Sequence, residues 1–229
     1  MSWVREAFAV FEKEVRSEWR TRVALSSVAL FAVGALTLIG LALYIGQGPT
    51  GPQTAAALIW VLLFFTAATG LGRAYVIEEE RGTALALRLT ARGTTVWAGK
   101  FAANALLLLL LALMATPALL SLLKVKTANP ALLACVLMLG CVGIAAVFTM
   151  TSALVAQATA KGGLLAALSF PMLVPLLVAA VHGTNAALGV GNAAGAFAPG
   201  LGDVQVLASY AVIAITASLM LIDFVWNEG

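Results

Sequence analysis

Residues 101–123 read FAANALLLLLLALMATPALLSLL and contain no charged residue. A helix needs about 20 apolar residues to cross the hydrocarbon layer of a bilayer, so this stretch is long enough for one crossing. Further charge-free runs lie at 23–72, 127–160, 162–202 and 204–222. Because the first of these has room for two crossings, the sequence predicts a membrane protein with six transmembrane segments.

The composition favours helices over strands for these segments. Hydrophobic residues make up 62% of the chain and charged residues 10%, whereas soluble domains are about 25% charged. Backbone polar groups in lipid must be hydrogen-bonded within a helix or a closed barrel. Barrel strands alternate apolar and polar residues, but 106–111 is continuous leucine. We therefore predict an all-α membrane protein.

Charge and turn residues predict the helix positions and the orientation. We expect spans at about 23–45, 54–77, 100–123, 130–156, 163–182 and 204–226, all within one transmembrane domain at 23–229. Lys and Arg concentrate on the cytoplasmic side of membrane proteins. With a cytoplasmic N-terminus, that side holds all Lys and Arg residues except Lys124 and Lys126. Both termini are therefore predicted to be cytoplasmic. Residues 183–203, rich in Gly and Ala, suggest a short re-entrant helix or a flexible loop.

Residues 1–22 have the pattern of an amphipathic helix. An apolar stripe recurs every three or four residues and consists of Val4, Phe8, Phe11, Val15 and Trp19. Charged residues occupy the other face. Helices of this kind lie along a membrane surface, with basic groups near the lipid headgroups. We predict an interfacial elbow helix that leads into the first span, and a solvated flank is the alternative.

The loop between the second and third spans reads EEERGT at 78–83 and ALALRLTARG at 84–93. Its leucines and arginines are spaced to share neighbouring faces of a short amphipathic helix that ends at Gly93. Adjacent carboxylates repel one another unless basic groups answer them, and Arg73, Arg81 or a partner protein could do so. We predict that segment 78–97 docks a partner protein, and a solvated loop is the alternative. The candidate docking residues are Glu78, Glu79, Glu80, Arg81, Gly82, Leu85, Arg88, Leu89 and Arg92.

Motifs of catalysis are lacking in the sequence. Residues 93–100 resemble a phosphate-binding loop, but five residues instead of four separate the glycines, and Phe101 follows the lysine. Ser/His/Asp, HExxH and CxxC patterns are absent, so we do not expect an enzyme. His182, the single histidine, lies at the outer end of the fifth span. Its imidazole is a candidate haem or metal contact, and an interfacial histidine without a ligand is the alternative.

Several stretches carry a resemblance to a known family. They are LIWV at 58–61, RAY at 73–75, EEERGT at 78–83 with Leu85 and Leu89, GK at 99–100, and PMLVP at 171–175. With the basic N-terminal elbow, these residues resemble CcmB (haem exporter protein B), the membrane subunit of the cytochrome c maturation ABC transporter. The resemblance covers almost the whole chain.

The resemblance implies an ABC-2 type permease fold in the bacterial inner membrane, in two copies per complex. It implies a CcmA-like ATPase that binds ATP and contacts 78–93, CcmC-like and CcmD-like membrane subunits, and a CcmE-like haem chaperone. The implied function is haem export or release of the haem-loaded chaperone. Haem would belong to the assembly, and no cofactor is assigned to this chain. Membrane lipid is an expected partner and nucleic acid is not. An ABC-2 permease for a lipid, drug or polysaccharide, or a membrane scaffold that transports nothing, are the alternatives.

Overall fold

The computed structural model of the protein describes residues 3–46, 51–71, 75, 76, 78, 82, 87, 89, 91–156, 164–190 and 200–227. In this part of the chain seven long helices account for the architecture. They are α1 (Trp3–Thr21), α2 (Val23–Gly46), α3 (Pro52–Gly70), α4 (Gly93–Leu123), α5 (Pro130–Ala156), α6 (Leu164–Ala187) and α7 (Leu201–Asn227). The predicted all-α fold is confirmed.

Helices α2 to α7 are each long and apolar enough to cross a membrane, which confirms the prediction of six spans. The predicted bounds of α5 agree with the structure at both ends. Its start follows from a local cap, because the side chain of Asn129 accepts a hydrogen bond of 3.0 Å from the N–H of Leu132. Pro130, the first helical residue, has no N–H to leave unsatisfied.

Two predicted boundaries next to the docking segment were wrong. The second span was predicted to reach residue 77, but α3 ends at Gly70, with Leu71 as its C-terminal cap. The third span was predicted to begin at Lys100, but α4 begins at Gly93 after an extended Arg92. Lys100 looked like a boundary because charged residues usually lie outside a span, whereas the structure places it inside the helix.

Both ends of the 183–203 stretch belong to the neighbouring helices. Helix α6 continues to Ala187 and α7 begins at Leu201. Between them, Leu188 to Val190 form a turn in which Gly189 has a φ of +81°, a left-handed conformation that favours glycine. Residues 191–199, where a re-entrant helix was one of the two predictions, lie outside the described residues.

Helix α5 is the centre of the bundle. It packs against α3, α4, α6 and α7, and all its residues from 143 to 153 are buried. Helix α2 lies at the edge, where it contacts α1, α3 and α4 and leaves most of its side chains exposed. Apolar side chains on such an edge are compatible with lipid, since the hydrophobic effect does not drive helices together inside a membrane.

Trp60 joins three helices through one close contact and one hydrogen bond. Its indole lies against Gly140 of α5, where an added Cβ atom would be only 2.2 Å from the ring atom Cη2. Its Nε1–H donates a buried hydrogen bond of 2.9 Å to the hydroxyl of Thr184 on α6. Small residues let helices approach closely in a membrane, and Gly140 serves this purpose for α3 and α5.

We expect Gly140→Ala to lower the free energy of unfolding by about 1–3 kcal/mol, because the new methyl group must displace the Trp60 ring. Unfolding in mixed detergent micelles measures this change. Gly34→Ala on α2 is the matched control, since no heavy atom outside its own helix lies within 4 Å of the added Cβ atom. A Gly140→Ala protein as stable as the wild type would contradict the tight contact.

Candidate functional site

Helix α1 lies directly on the first turns of α4. Val10 is its one buried residue, and it faces Gly99 of α4. An added Cβ atom at Gly99 would be 2.6 Å from Cβ of Val10 and 2.8 Å from the carbonyl oxygen of Ala7. Only a residue without a side chain fits between the two backbones, so Gly99 sets how close α1 comes to α4.

The apolar stripe predicted on α1 occupies a different face from this contact. Val4, Phe8 and Trp19 are exposed, whereas Phe11 and Val15 are half-buried. At 100° per residue, the stripe lies beside the face that carries Ala7, Val10 and Glu14. Helix α1 therefore packs on the bundle with one face and presents most of its aromatic stripe outward with another.

Four charged residues meet where α1 crosses α4, and we call them the Lys100 cluster: Lys13, Glu14, Glu78 and Lys100. Lys100 Nζ lies 2.7 Å from Oε1 of Glu14 and 3.3 Å from Oε1 of Glu78. Lys13 forms an ion pair with Glu78 and a longer one, 3.4 Å, with Glu14. Two positive and two negative groups balance, as expected of a cluster whose central lysine is buried.

Lys100 is the most deeply buried member of the cluster, since its side chain is only 1% exposed. An ammonium group in such a place is stable only when it is paired with carboxylates. The two carboxylates come from separate parts of the chain, Glu14 from α1 and Glu78 from the docking segment. Lys100 thus holds both of them against α4.

Burial and the charges of the Lys100 cluster together change the pKa values of Lys13 and Tyr75. Burial lowers the pKa of Lys13, but its hydrogen bond to Glu78 and the negative charge of Glu14 outweigh this effect, so the pKa is raised overall. Burial raises the pKa of the Tyr75 hydroxyl well above its usual value, and the charges of Glu14 and Glu78 add to the effect. Tyr75 therefore remains a neutral phenol, with its ring centre 5.3 Å from Lys100 Nζ.

Polar side chains near the C-terminal end of α5 connect it to three neighbours. Thr149 accepts a hydrogen bond of 2.9 Å from the amide of Asn104 on α4, and Thr151 shares one of 2.8 Å with Ser169 on α6. The hydroxyl of Ser152 accepts the backbone N–H of Tyr75 at 3.2 Å. The chain just before the docking segment is thereby attached to the central helix, and Glu78 attaches the segment itself to the Lys100 cluster.

The structure describes four of the nine predicted docking residues: Glu78, Gly82, Leu89 and Arg92. Glu78 points into the Lys100 cluster, whereas Leu89 is 80% exposed and Arg92 is exposed at the start of α4. Gly82 is exposed and left-handed, with a φ of +67°. The remaining five lie outside the described residues: Glu79, Glu80, Arg81, Leu85 and Arg88.

Sequence reasoning missed Lys13 and Lys100 as partners of Glu78, and it missed Glu14, which pairs with the same two lysines. It named Arg73 and Arg81 as candidates to balance the carboxylates, and both lie outside the described residues. The one available signal was Lys100 itself, a charge placed directly after Gly99 at the edge of a long apolar run. Glu14 and Lys100 are 86 positions apart, so no local pattern in the sequence connects them.

His182 lies at the opposite end of the bundle. Its Nδ1 atom is 2.8 Å from Oδ2 and 3.0 Å from Oδ1 of Asp203, which links α6 to α7. The imidazole is 73% exposed. Across the part of the chain that the structure describes, no three His, Cys, Asp or Glu side chains come close enough together to hold a metal ion. Among the described residues, His182 therefore has Asp203 as a carboxylate partner but does not belong to a group of side chains that could bind a metal ion.

The sequence from 5 to 221 matches the family described as CcmB protein. The chain belongs to the CcmB family. This match includes the Lys100 cluster, the docking segment and all six candidate spans except the end of α7. CcmB proteins are transporter membrane subunits of cytochrome c maturation and are not known enzymes. A comparison with curated proteins gave no significant match.

The raised pKa of Lys13 predicts a loss of stability at high pH. A group with a raised pKa in the folded state stabilises the protein fully below its unfolded value of 10.5, and this contribution disappears as the pH rises through the folded value. We expect the difference in unfolding free energy between the wild type and Lys13→Met to be constant up to about pH 10 and to shrink above it. Because Lys13 is half exposed, the difference should be at most about 1 kcal/mol.

Chemical unfolding in detergent at a series of pH values measures this difference. Lys124→Met is the control, since Lys124 lies at the far end of α4. A Lys13→Met difference that grows above pH 10 would contradict the sign of the predicted effect.

Proposed function

We propose that this chain is the membrane-spanning permease subunit of an ABC transporter for cytochrome c biogenesis and that a separate CcmA-like ATPase docks on segment 78–92. Membership of the CcmB family supports the biological role. The observation that carries the docking assignment is the division of the segment into two sides. Glu78 and the half-buried Leu87 face the bundle, whereas Leu89 and Arg92 face outward.

The ATPase would use the outward side. A leucine that is 80% exposed next to an exposed arginine is the type of surface that becomes buried at a protein interface, where apolar and Arg side chains supply much of the binding energy. The inward side keeps the segment attached to α4 and α5 while the partner is bound. Glu79, Glu80, Arg81, Leu85 and Arg88 belong to the same proposed interface.

The proposed orientation places this segment, α1 and both termini in the cytoplasm. The Lys and Arg distribution supports it, since Lys124 and Lys126 are the only basic residues expected on the other side. Lys100 and Lys124 are separated along α4 by about 36 Å at 1.5 Å per residue, enough to cross the hydrocarbon layer. Helix α1 would then lie at the headgroup level, with Val4, Phe8 and Trp19 dipping into the lipid.

The complete complex would contain two copies of this chain, the ATPase, and CcmC-like and CcmD-like subunits, and it would act on a CcmE-like chaperone. Its ATP-driven step would export haem or release the haem-loaded chaperone. The family match favours this role over export of a lipid, drug or polysaccharide and over a scaffold without transport. His182, exposed on the outer side, is the residue of this chain proposed to contact haem.

A matched pair of leucines tests the docking assignment. We expect Leu89→Asp to weaken ATPase binding about tenfold or more, because a charge replaces an apolar contact, without lowering the melting temperature. Leu87→Asp places a charge on a half-buried residue and should lower the melting temperature instead. Affinity capture of the CcmA-type ATPase by the detergent-purified chain measures binding. Undiminished capture by the Leu89→Asp chain would refute the assignment.

Deletion of the gene tests the biological role. Cells without this chain should lose holocytochrome c, and the wild-type chain should restore it. Normal holocytochrome c in the deletion strain would instead favour one of the alternative export functions.

A further inference from the structure

The docking segment, together with Tyr75 just before it, is attached to the bundle at two points of unequal strength. At the first, the Tyr75 N–H donates a hydrogen bond of 3.2 Å to Ser152 on α5. At the second, Glu78 is ion-paired with Lys13 and with Lys100. Hydrogen bonds between charged groups are about twice as strong as neutral ones, so the stronger attachment is the one to the Lys100 cluster.

Lys100 is central to that attachment because both carboxylates share it. Its ammonium group is buried and contacts Glu14 and Glu78 at the same time. If either carboxylate moved away alone, a buried charge would lose a partner, which is unfavourable in a medium of low polarity. A displacement of Glu78 should therefore carry Lys100 and Glu14 with it.

The residues around Lys100 are closely packed, so they leave little free space into which it could shift on its own. The neighbouring Gly99 is in backbone contact with α1, and Trp97, in the same turn of α4, is buried. Its ring stacks on Phe101 with centroids 5.0 Å apart. Interiors packed in this way transmit strain instead of deforming gradually. The first turns of α4 are therefore joined to helix α1 by close packing and to Glu78 by an ion pair.

We propose that Lys100 is a positioning residue that makes the docking segment, α1 and α4 move together when the ATPase displaces the segment. This inference rests on the proposed function and adds the route by which movement enters the membrane domain. Lys100 does not contact the ATPase or a transported molecule. Its role is to convert displacement of the cytoplasmic segment into displacement of a transmembrane helix and of the helix at the membrane surface.

The test measures ATPase binding separately from the holocytochrome c yield that depends on ATPase activity. Each variant replaces the wild-type chain in cells, and two quantities are measured: the amount of CcmA-type ATPase retained by the purified chain, and the yield of holocytochrome c. We expect Lys100→Met to retain the ATPase at the wild-type level while the holocytochrome c yield falls by about fivefold or more, the usual size of a coupling effect. Lys100→Arg keeps the positive charge and should recover most of the yield.

A second variant tests whether a low yield from Lys100→Met is caused by misfolding. Lys100→Met leaves two carboxylates without their buried partner, whereas the double variant Lys100→Met, Glu14→Gln removes one charge of each sign and leaves the ion pair between Lys13 and Glu78 in place. We expect the double variant, which alters no predicted docking residue, to accumulate in the membrane and bind the ATPase normally but to give the same low yield. Lys124→Met, at the other end of the same helix, is the matched control and should behave as wild type.

Two results would overturn the inference. A double variant with a wild-type yield would show that Lys100 is not needed for coupling. A Lys100→Met chain that loses the ATPase in proportion to the yield would show that Lys100 serves docking. The proposed function fails differently, because then the wild-type chain itself would retain no ATPase or would have no effect on holocytochrome c.

Discussion

Placing a charge in a hydrocarbon environment is so unfavourable that it organises this entire chain. Six helices are nearly free of charge, and the charged residues collect where the helices end. Lys100 lies at one end of the apolar part of α4, but its side chain is almost fully buried there. Its ammonium group is accommodated because Glu14 and Glu78 meet it there. The positions of α1 and of the docking segment at this end of the bundle are tied to that one lysine.

Along the rest of the bundle, α5 contacts the other helices through close packing and a few buried hydrogen bonds. Gly140 admits the Trp60 ring, Thr149 and Thr151 connect to α4 and α6, and Ser152 connects to the backbone of Tyr75, just before the docking segment. Such contacts do the work of holding helices together that the hydrophobic effect does in water. Helices α2 and α7 leave many apolar side chains exposed at the edge of this unit, a surface suited to lipid or to a second copy of the chain.

The proposed function rests on the family match and on the way the segment between α3 and α4 is held. Membership of the CcmB family identifies a transporter membrane subunit, and the structure shows how the segment between α3 and α4 is held on the bundle. One side of that segment faces outward with Leu89 and Arg92. The other is attached through Glu78 to two helices and through Tyr75 to a third. A segment built in this way suits both contact with a partner and transfer of its movement.

The sequence by itself determined the fold class, the six spans, both ends of α5, the helix at the N-terminus and the family. These features follow from length, composition and local caps, because a membrane requires about 20 apolar residues in succession and a helix end requires a local partner. Only the tertiary structure decided that α4 begins at Gly93, that Lys100 is buried within it, and that His182 is joined to Asp203. The reason is physical: Glu14 meets Lys100 across 86 positions, and contacts between distant segments leave no periodic trace in the chain.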